Sequence, residues 1–334
     1  MTNVYKMKLF RWPNLKNSEK YVAFCLDNNK LGWGWRDKTE PEKIQNVCRL
    51  RDYYHSLDKE HFDNPSGLKT ALNRVEPKDE EPGLQKGDFV WVYGAKTTDN
   101  NDKKYYLGKV TGDTFICGNC QKEQYPEIGM LKDCEWKQID DDDVPGVVTS
   151  FCRADGTIRR LDNPNFVNYC EYLYNNKKLF HPMDKDEKFF WELTHPEDLE
   201  DIVGIYLQTK GYYIFPSTNK QGTKDYEFKL IHLDGEKEAI IQCKNNAVIK
   251  KNLWDKFETG DYKEYNVYVL TILDDPHPQQ FGYKPHYDND IIQWSLNDRI
   301  MVLNKSTLYT WAGKNCKILP NRIQTYLKIS GAID

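Results

Sequence analysis

The sequence predicts a protein of mixed α and β structure in two parts, a β-rich N-terminal part and a C-terminal α/β part with a mixed sheet. Short apolar or alternating runs separated by glycine-containing turns dominate the first 137 residues. A long amphipathic helical pattern opens the second part, and a strand, a hairpin and a strongly apolar strand follow it. That order of elements is typical of an α/β sandwich whose sheet is mixed.

The first part contains a series of strand candidates. We predict strands over residues 22–26, 31–35, 86–94, 105–112 and 134–139. An acidic run over residues 140–143, followed by Val-Pro-Gly, marks the end of this part. The predicted boundaries are therefore residues 1–146 for the first domain, 147–193 for a connector and 194–334 for the second domain.

The second part begins with a well-delimited helix. Thr194 is a good N-cap, Pro196 suits the first helical turn, and Gly211 lies where a helix often ends on glycine. The apolar residues between them form one broad stripe that predicts a buried face. A short strand over residues 212–215 follows.

A predicted hairpin then carries most of the chemistry. Its first strand runs from Asp225, its turn lies at Asp234-Gly235, and its second strand ends at Lys244. Alternation puts Gln242 and Lys244 on one face of the second strand and Cys243 on the other. A lysine ammonium beside a carboxylate is costly to bury without a purpose, and phosphodiester hydrolysis is one chemistry that uses it.

The hairpin supplies the oxygen ligands that Mg²⁺ prefers. A carboxylate from Asp225 or Glu227 would bind the cation, with Gln242 and the backbone carbonyl of Cys243 completing the shell. Mn²⁺ is expected to substitute for Mg²⁺. Lys244 would orient or activate the attacking water. The alternation rule places Asp225 and Glu227 on the same face, so both remain candidates for the metal ligand.

Composition excludes several classes. With 334 residues, a mean hydropathy of -0.79 and no apolar run near the ~20 residues of a membrane span, the chain is expected to be cytoplasmic and without membrane contact. Nine cysteines in a chain of this size suggest free thiols in a reducing compartment. The net charge of -4 places any nucleic-acid surface in a local patch. No P-loop lysine motif occurs, which argues against an NTP-driven translocase.

The second domain resembles the Mrr-like restriction endonucleases of the PD-(D/E)xK nuclease superfamily. The family pattern falls on Glu200 in the helix, on Gly211-Tyr212, on Asp225 or Glu227, and on Gln242-Cys243-Lys244. The resemblance covers residues 194–330. It implies a PD-(D/E)xK α/β core, a Mg²⁺-dependent active site with Glu200 as an additional catalytic residue, and double-stranded DNA as substrate. It departs from the family at the acid, where many members have Gly-x-Asp.

The first domain resembles the EVE/PUA-like β-barrels that occur fused to such nucleases. The resemblance rests on Leu31-Gly-Trp33-Gly, on residues 87–93, on residues 106–113 and on Glu135-Trp136. It implies a pocket that receives a flipped, modified base, often methylated cytosine. The residues expected to contact that base are Trp33, Trp35, Trp91, Tyr93 and Trp136.

Together these resemblances predict a type II/IV-like restriction endodeoxyribonuclease that cuts foreign DNA, such as phage DNA, carrying modified cytosine. Double-strand cutting needs two active sites, so a homodimer on DNA is expected. The alternative is a non-catalytic modified-DNA or RNA binding protein that uses a nuclease-like scaffold. Cys117-Gly-Asn-Cys120 is read as a pair of free thiols, because a structural zinc site needs four ligands.

Overall fold

We describe the fold from a computed structural model. It describes residues 2–7, 18–33, 75, 83–99, 102–116, 130–149, 158–176, 184–215, 218, 225–235, 238–244, 251–271, 284–288, 291–295 and 299–333. The chain divides into two compact units, residues 1–144 with 151–181 and residues 145–150 with 182–334. Residues 147–193, predicted as a connector, contribute elements to both units.

The first unit is built on a mixed sheet. Its strands are β1 (Val4–Met7), β2 (Lys30–Trp33), β3 (Phe89–Gly94), β4 (Lys104–Val110), β5 (Phe115–Ile116), β6 (Met130–Ile139) and β7 (Ile158–Leu161). The strand order is β2-β6-β4-β3-β1-β7, and β5 pairs with β6. Only the β1–β3 pair among these described strands is parallel. The long β6 connects β2 and β5 to the rest of the sheet, because it pairs with β4 through one half and with β2 and β5 through the other.

Two of the helices in the described ranges belong to this unit. They are α1 (Ser18–Asp27) and, after the short α2 (Gly146–Thr149) of the second unit, α3 (Asn165–Tyr174). The strand predicted over residues 22–26 is wrong, because these residues lie within α1. Tyr21 and Cys25, one turn apart, are both buried in the core of the sheet. The helix is followed by Asn29 in the left-handed region at φ 52°, a conformation that asparagine tolerates and that commonly ends a helix.

The second unit combines helices with a five-stranded mixed sheet. Its further helices are α4 (Glu187–Leu193), α5 (Pro196–Thr209), α6 (Lys251–Glu258), α7 (Lys305–Lys314) and α8 (Asn321–Ile329). Its strands are β8 (Tyr212–Ile214), β9 (Phe228–His232), β10 (Glu238–Lys244), β11 (Asn266–Thr271), β12 (Lys284–Asp288), β13 (Ile291–Ser295) and β14 (Ile300–Val302). The sheet has the order β14-β11-β10-β9-β8, with β12 and β13 forming a separate ribbon.

Helix α5 lies close to its predicted position, with one shift at its start. His195 is the N-cap and its backbone N–H donates to Asp198 Oδ2 at 3.4 Å. Thr194, predicted as the N-cap, instead donates its hydroxyl to the Phe190 carbonyl at the end of α4. Pro196 is the first helical residue, and Gly211 follows the helix at φ 92°, a left-handed conformation that glycine adopts without strain.

The sheet of the second unit runs antiparallel on one side of β10 and parallel on the other. Strands β8, β9 and β10 are antiparallel neighbours, whereas β10, β11 and β14 are parallel. The sequence prediction of a mixed α and β fold with a mixed sheet is therefore confirmed at this level. None of the helices in the described ranges is long and apolar enough to cross a membrane.

Candidate active site

The predicted hairpin is present as β9 and β10, with Gly235 at φ 72° in the turn between them. Ile240 of β10 packs into the core beneath α6, together with Trp254 and Phe257. Because side chains alternate along a strand, Gln242 and Lys244 point to the same face as Ile240. Cys243 points to the opposite face, where α5 lies.

Three polar side chains meet where β10 ends. Gln242 Nε2 donates to Glu227 Oε1 at 2.5 Å, and Lys244 Nζ lies 3.5 Å from the same carboxylate oxygen. The Glu227 backbone N–H donates to the Ile241 carbonyl at 2.7 Å, which fixes this residue directly beside β10. Gln242 is 1% exposed, whereas the Lys244 side chain keeps 34% of its surface exposed. The ion pair at the strand end is therefore partly exposed, whereas the amide beside it is buried.

Asp225 lies in a different environment from Glu227. Its Oδ2 accepts from Lys256 Nζ at 2.7 Å and from the Tyr262 hydroxyl at 3.2 Å. Both donors come from α6 or the turn after it. Of the two acids left open by the sequence, Glu227 is thus the one beside Gln242 and Lys244.

Glu200 approaches the same strand end from α5. Burial raises the pKa of its carboxyl to about 7, and the negative charge of Glu227 adds to that rise, while Lys244 opposes it. The thiol of Cys243 is influenced by the same groups: burial raises its pKa, as do the charges of Glu227 and Glu200. Glu200 and Glu227 therefore share one electrostatic environment at the end of β10.

The residues around Gln242 suit a hard cation. Its Oε1 is buried and has no hydrogen-bond partner among the residues that the structure describes. Its Nε2 also donates to the Cys243 carbonyl at 3.1 Å. These hydrogen bonds assign Nε2 to the side of Glu227 and the carbonyl. A flipped amide would turn Oε1 toward those two acceptor oxygens, and a cation bound between them would favour that orientation. A set of carboxylate, amide and carbonyl oxygens is what Mg²⁺ or Ca²⁺ binds.

This oxygen set is poor in negative charge. Within the ranges described, no three His, Cys, Asp or Glu side chains are grouped to hold a metal ion. Cys117 and Cys120 lie outside those ranges.

Two of the aromatic residues predicted to bind a base belong to one core in the first unit. Trp33 is 6% exposed and Trp136 packs against the same buried cluster. Trp136 Nε1 donates to the Lys30 carbonyl at 3.0 Å, and its ring covers Gly108, where an added Cβ would come within 2.4 Å of the ring. The Trp33 ring has the Lys132 ammonium 5.7 Å from its centre. The contacts of Trp136 are those of a cross-strand packing residue.

The remaining predicted aromatics lie elsewhere. Trp91 is 1% exposed and alternates with Val90 and Val92, which belong to the core around Trp33, so it points to the other face of the sheet. There its indole lies against the Cys170 thiol of α3. Tyr93 is 55% exposed, with its ring 4.7 Å from that of Tyr105. Trp35 lies outside the described residues.

The partners of Asp225 were not predicted as part of the site. Lys256 is separated from Asp225 by 31 residues, and α6 itself was not expected from the sequence. The local signal was a set of apolar residues at helical spacing, Leu253, Trp254 and Phe257, between charged residues.

No protein-family model, no curated protein and no solved structure matches this chain.

Proposed function

We propose that this protein is a cytoplasmic, Mg²⁺-dependent DNA endonuclease that restricts foreign DNA carrying modified bases. The observation that carries the proposal is the convergence of Glu227, Gln242 and Lys244 at the end of β10, with Glu200 in the same electrostatic environment. A homodimer on DNA belongs to the proposal, because cutting both strands requires two such sites.

Each residue has a distinct role in this proposal. Glu227, the Gln242 amide oxygen and the Cys243 carbonyl would hold the cation. The bound cation would act as a Lewis acid on a phosphate oxygen and lower the pKa of a bound water. Lys244 is close enough to Glu227 to be held by it, yet exposed enough for its ammonium to orient water and stabilise charge that develops on the phosphate.

A neutral glutamine in place of a second acid has a measurable consequence. Cation affinity in an oxygen site rises with the number of charged ligands, so a site with Glu227 as its main charge should bind Mg²⁺ weakly. We expect cleavage to require Mg²⁺ well above the micromolar range. A Mg²⁺ titration of the cleavage rate measures this, and saturation at micromolar Mg²⁺ would contradict it.

One observation favours a non-catalytic alternative. Glu227 is already engaged by Gln242 and by Lys244, and no group of three metal-binding side chains occurs in the described part of the chain. Such an internally satisfied site is also what a nuclease-like scaffold would keep after losing catalysis. The protein would then bind modified DNA or RNA without cutting it.

The deciding experiment is cleavage of matched duplexes containing cytosine, 5-methylcytosine or 5-hydroxymethylcytosine, with Mg²⁺ or with EDTA. Wild type is compared with Lys244→Ala, and with Lys229→Ala as a matched lysine control on the neighbouring strand. Mg²⁺-dependent cutting that is lost only in Lys244→Ala supports the nuclease, and a preference among duplexes supports the modified-base reader. Binding without cutting by wild type, with RNA as a competitor, supports the alternative.

A further inference from the structure

We propose that Asp225 is a positioning residue rather than a metal ligand. Together with Lys256 and Tyr262 it forms a clasp, named here the Asp225 clasp, that fastens the segment carrying Glu227 to α6 and the turn after it. This inference rests on the proposed nuclease function and adds a residue that acts through Glu227.

The carboxylate of Asp225 is committed to the clasp. A single oxygen, Oδ2, accepts both the Lys256 ammonium at 2.7 Å and the Tyr262 hydroxyl at 3.2 Å. The Asp225 side chain is 22% exposed and that of Lys256 is 41% exposed, so the pair is partly shielded from solvent. Hydrogen bonds to an ionised partner are about twice as strong as neutral ones, which makes this a firm attachment.

The other end of the clasp is itself held in place. The Tyr262 ring packs edge-on against Tyr226 with centroids 5.7 Å apart, and lies 6.0 Å from the Phe257 ring of α6. Arg299 donates to the Tyr265 carbonyl at 2.9 Å and to the Phe257 carbonyl at 3.5 Å. The end of α6 and the following turn therefore offer a fixed point to which Asp225 is tied.

The clasp is close enough to Glu227 to set its position. Only Tyr226 separates the two acids, and the Glu227 N–H is bonded to β10 at the Ile241 carbonyl. The segment is thus held by its backbone on β10 and by Asp225 on α6. Strand β9 begins only at Phe228, so beyond the Glu227 N–H bond the strand pairing does not extend to residues 225 and 226.

A direct contact between Lys256 and a DNA phosphate is the rival role for this lysine. Lys256 is already paired with Asp225, and Asp255 and Glu258 lie within two residues of it along α6. Affinity for phosphate comes from clustered positive charge, whereas the charges next to Lys256 are negative. The charges around Lys256 favour the clasp.

The test is a charge exchange. Lys256→Asp alone, Asp225→Lys alone, and the double variant that exchanges both charges are compared with wild type. The readouts are the single-turnover cleavage rate as a function of Mg²⁺ and the DNA affinity without divalent cation. Lys263→Asp, an exposed lysine in the turn after α6, is the matched control. Thermal unfolding of every variant shows which of them remain folded.

We expect Lys256→Asp to lower the cleavage rate about 10- to 100-fold, the usual effect of removing a residue that orients a ligand. DNA affinity should stay within about twofold, because no phosphate contact is lost. The double variant should recover at least about tenfold over either single variant, because the reversed pair restores the attachment. Asp225→Asn, which keeps the shape of the acid, should be far milder than Glu227→Gln.

Suppose that wild type is active, that the double variant recovers no cleavage, and that Asp225→Asn lowers the rate as much as Glu227→Gln. Asp225 would then be a metal ligand, and the clasp would be overturned. If Lys256→Asp loses DNA affinity and cleavage in parallel, and the double variant recovers neither, the clasp is overturned in favour of a contact between Lys256 and a DNA phosphate. A wild type that cuts no DNA overturns the nuclease proposal and this inference with it. The cleavage activity of wild type therefore distinguishes failure of the nuclease proposal from failure of the clasp alone.

Discussion

A cluster of polar side chains lies at one strand end in the second unit, whereas the large aromatic residues of the first unit are spread over both faces of its sheet. Gln242 and Lys244 each lie within hydrogen-bond or ion-pair distance of Glu227. Trp33 and Trp91 occupy opposite faces, and both are almost fully buried. The difference teaches that a polar cluster at a strand end needs a function to justify its cost, whereas packing accounts for the burial of aromatic rings.

The largest effect is expected at the polar cluster. Glu227→Gln should lower Mg²⁺-dependent cleavage by at least about 10³-fold, or about 4 kcal/mol, because the main charged ligand is lost. The measurement is the single-turnover rate on the preferred duplex. Glu238→Gln, at the start of the neighbouring strand β10 and paired only loosely with Lys229 at 3.9 Å, is the control. Equal activity of the two variants would contradict the assignment of Glu227.

The next effect tests the packing role of the aromatic residues. Trp91→Ala should lower the free energy of unfolding by about 3 kcal/mol or more, because a fully buried indole leaves a large cavity. Urea and thermal unfolding of the full chain measure it. Tyr93→Ala, two residues along the same strand but 55% exposed, should change stability by about 0.5 kcal/mol or less. A stable Trp91→Ala protein that fails to bind DNA would show that Trp91 contacts the ligand.

The polar cluster should also carry a pH signature. The Glu200 pKa is about 7 in the folded protein, against an ordinary value of 4.5. The unfolded chain therefore releases this proton near pH 4.5 while the folded protein keeps it to about pH 7. Folding stability is thus lost as pH rises through this window, and the loss is complete above it.

Replacing the Glu200 carboxyl by an amide should abolish this loss of folding stability at rising pH. Between pH 5 and pH 8, wild type should lose about 1–3 kcal/mol more stability than Glu200→Gln, allowing for the partial exposure of the group. Urea unfolding in EDTA measures it without any bound cation. Glu197→Gln, an exposed glutamate on the same helix, should keep most of the wild-type pH dependence. Identical pH profiles for wild type and Glu200→Gln would contradict the raised pKa.

The sequence was informative where a short pattern fixes the geometry. Alternation and the Asp234-Gly235 turn predicted the hairpin, and Gly211 predicted where α5 ends. The apolar run at residues 22–26 predicts a strand but forms part of α1, because five apolar residues fit a buried strand and a buried helix equally well. Its helical identity depends on packing against a sheet assembled from distant parts of the chain.

Two details of the site also depend on distant residues. Alternation grouped Asp225 with Glu227, but β9 starts at Phe228, so the strand rule does not extend to Asp225. Its partner Lys256 comes from a helix 31 residues away. Likewise, the opposition of Trp136 and Gly108 follows from the register of β4 on β6, which no local pattern specifies. Such pairings arise from tertiary structure, where local propensity carries no information.

The smallest effect concerns the exposed aromatic of the first unit. Tyr93 is the one predicted base-binding residue among those described that has a largely exposed ring, and its ring lies 4.7 Å from that of Tyr105, tilted by 41°. If the first unit binds nucleic acid, this pair offers a π-face, and base stacking contributes about 1–3 kcal/mol. Tyr93→Ala should then weaken DNA binding by about tenfold with little loss of stability. Tyr213→Ala, a 60% exposed strand tyrosine in the second unit, is the control and should bind like wild type. An equal affinity for both variants would remove Tyr93 from the proposed reader and leave the buried tryptophans as packing residues.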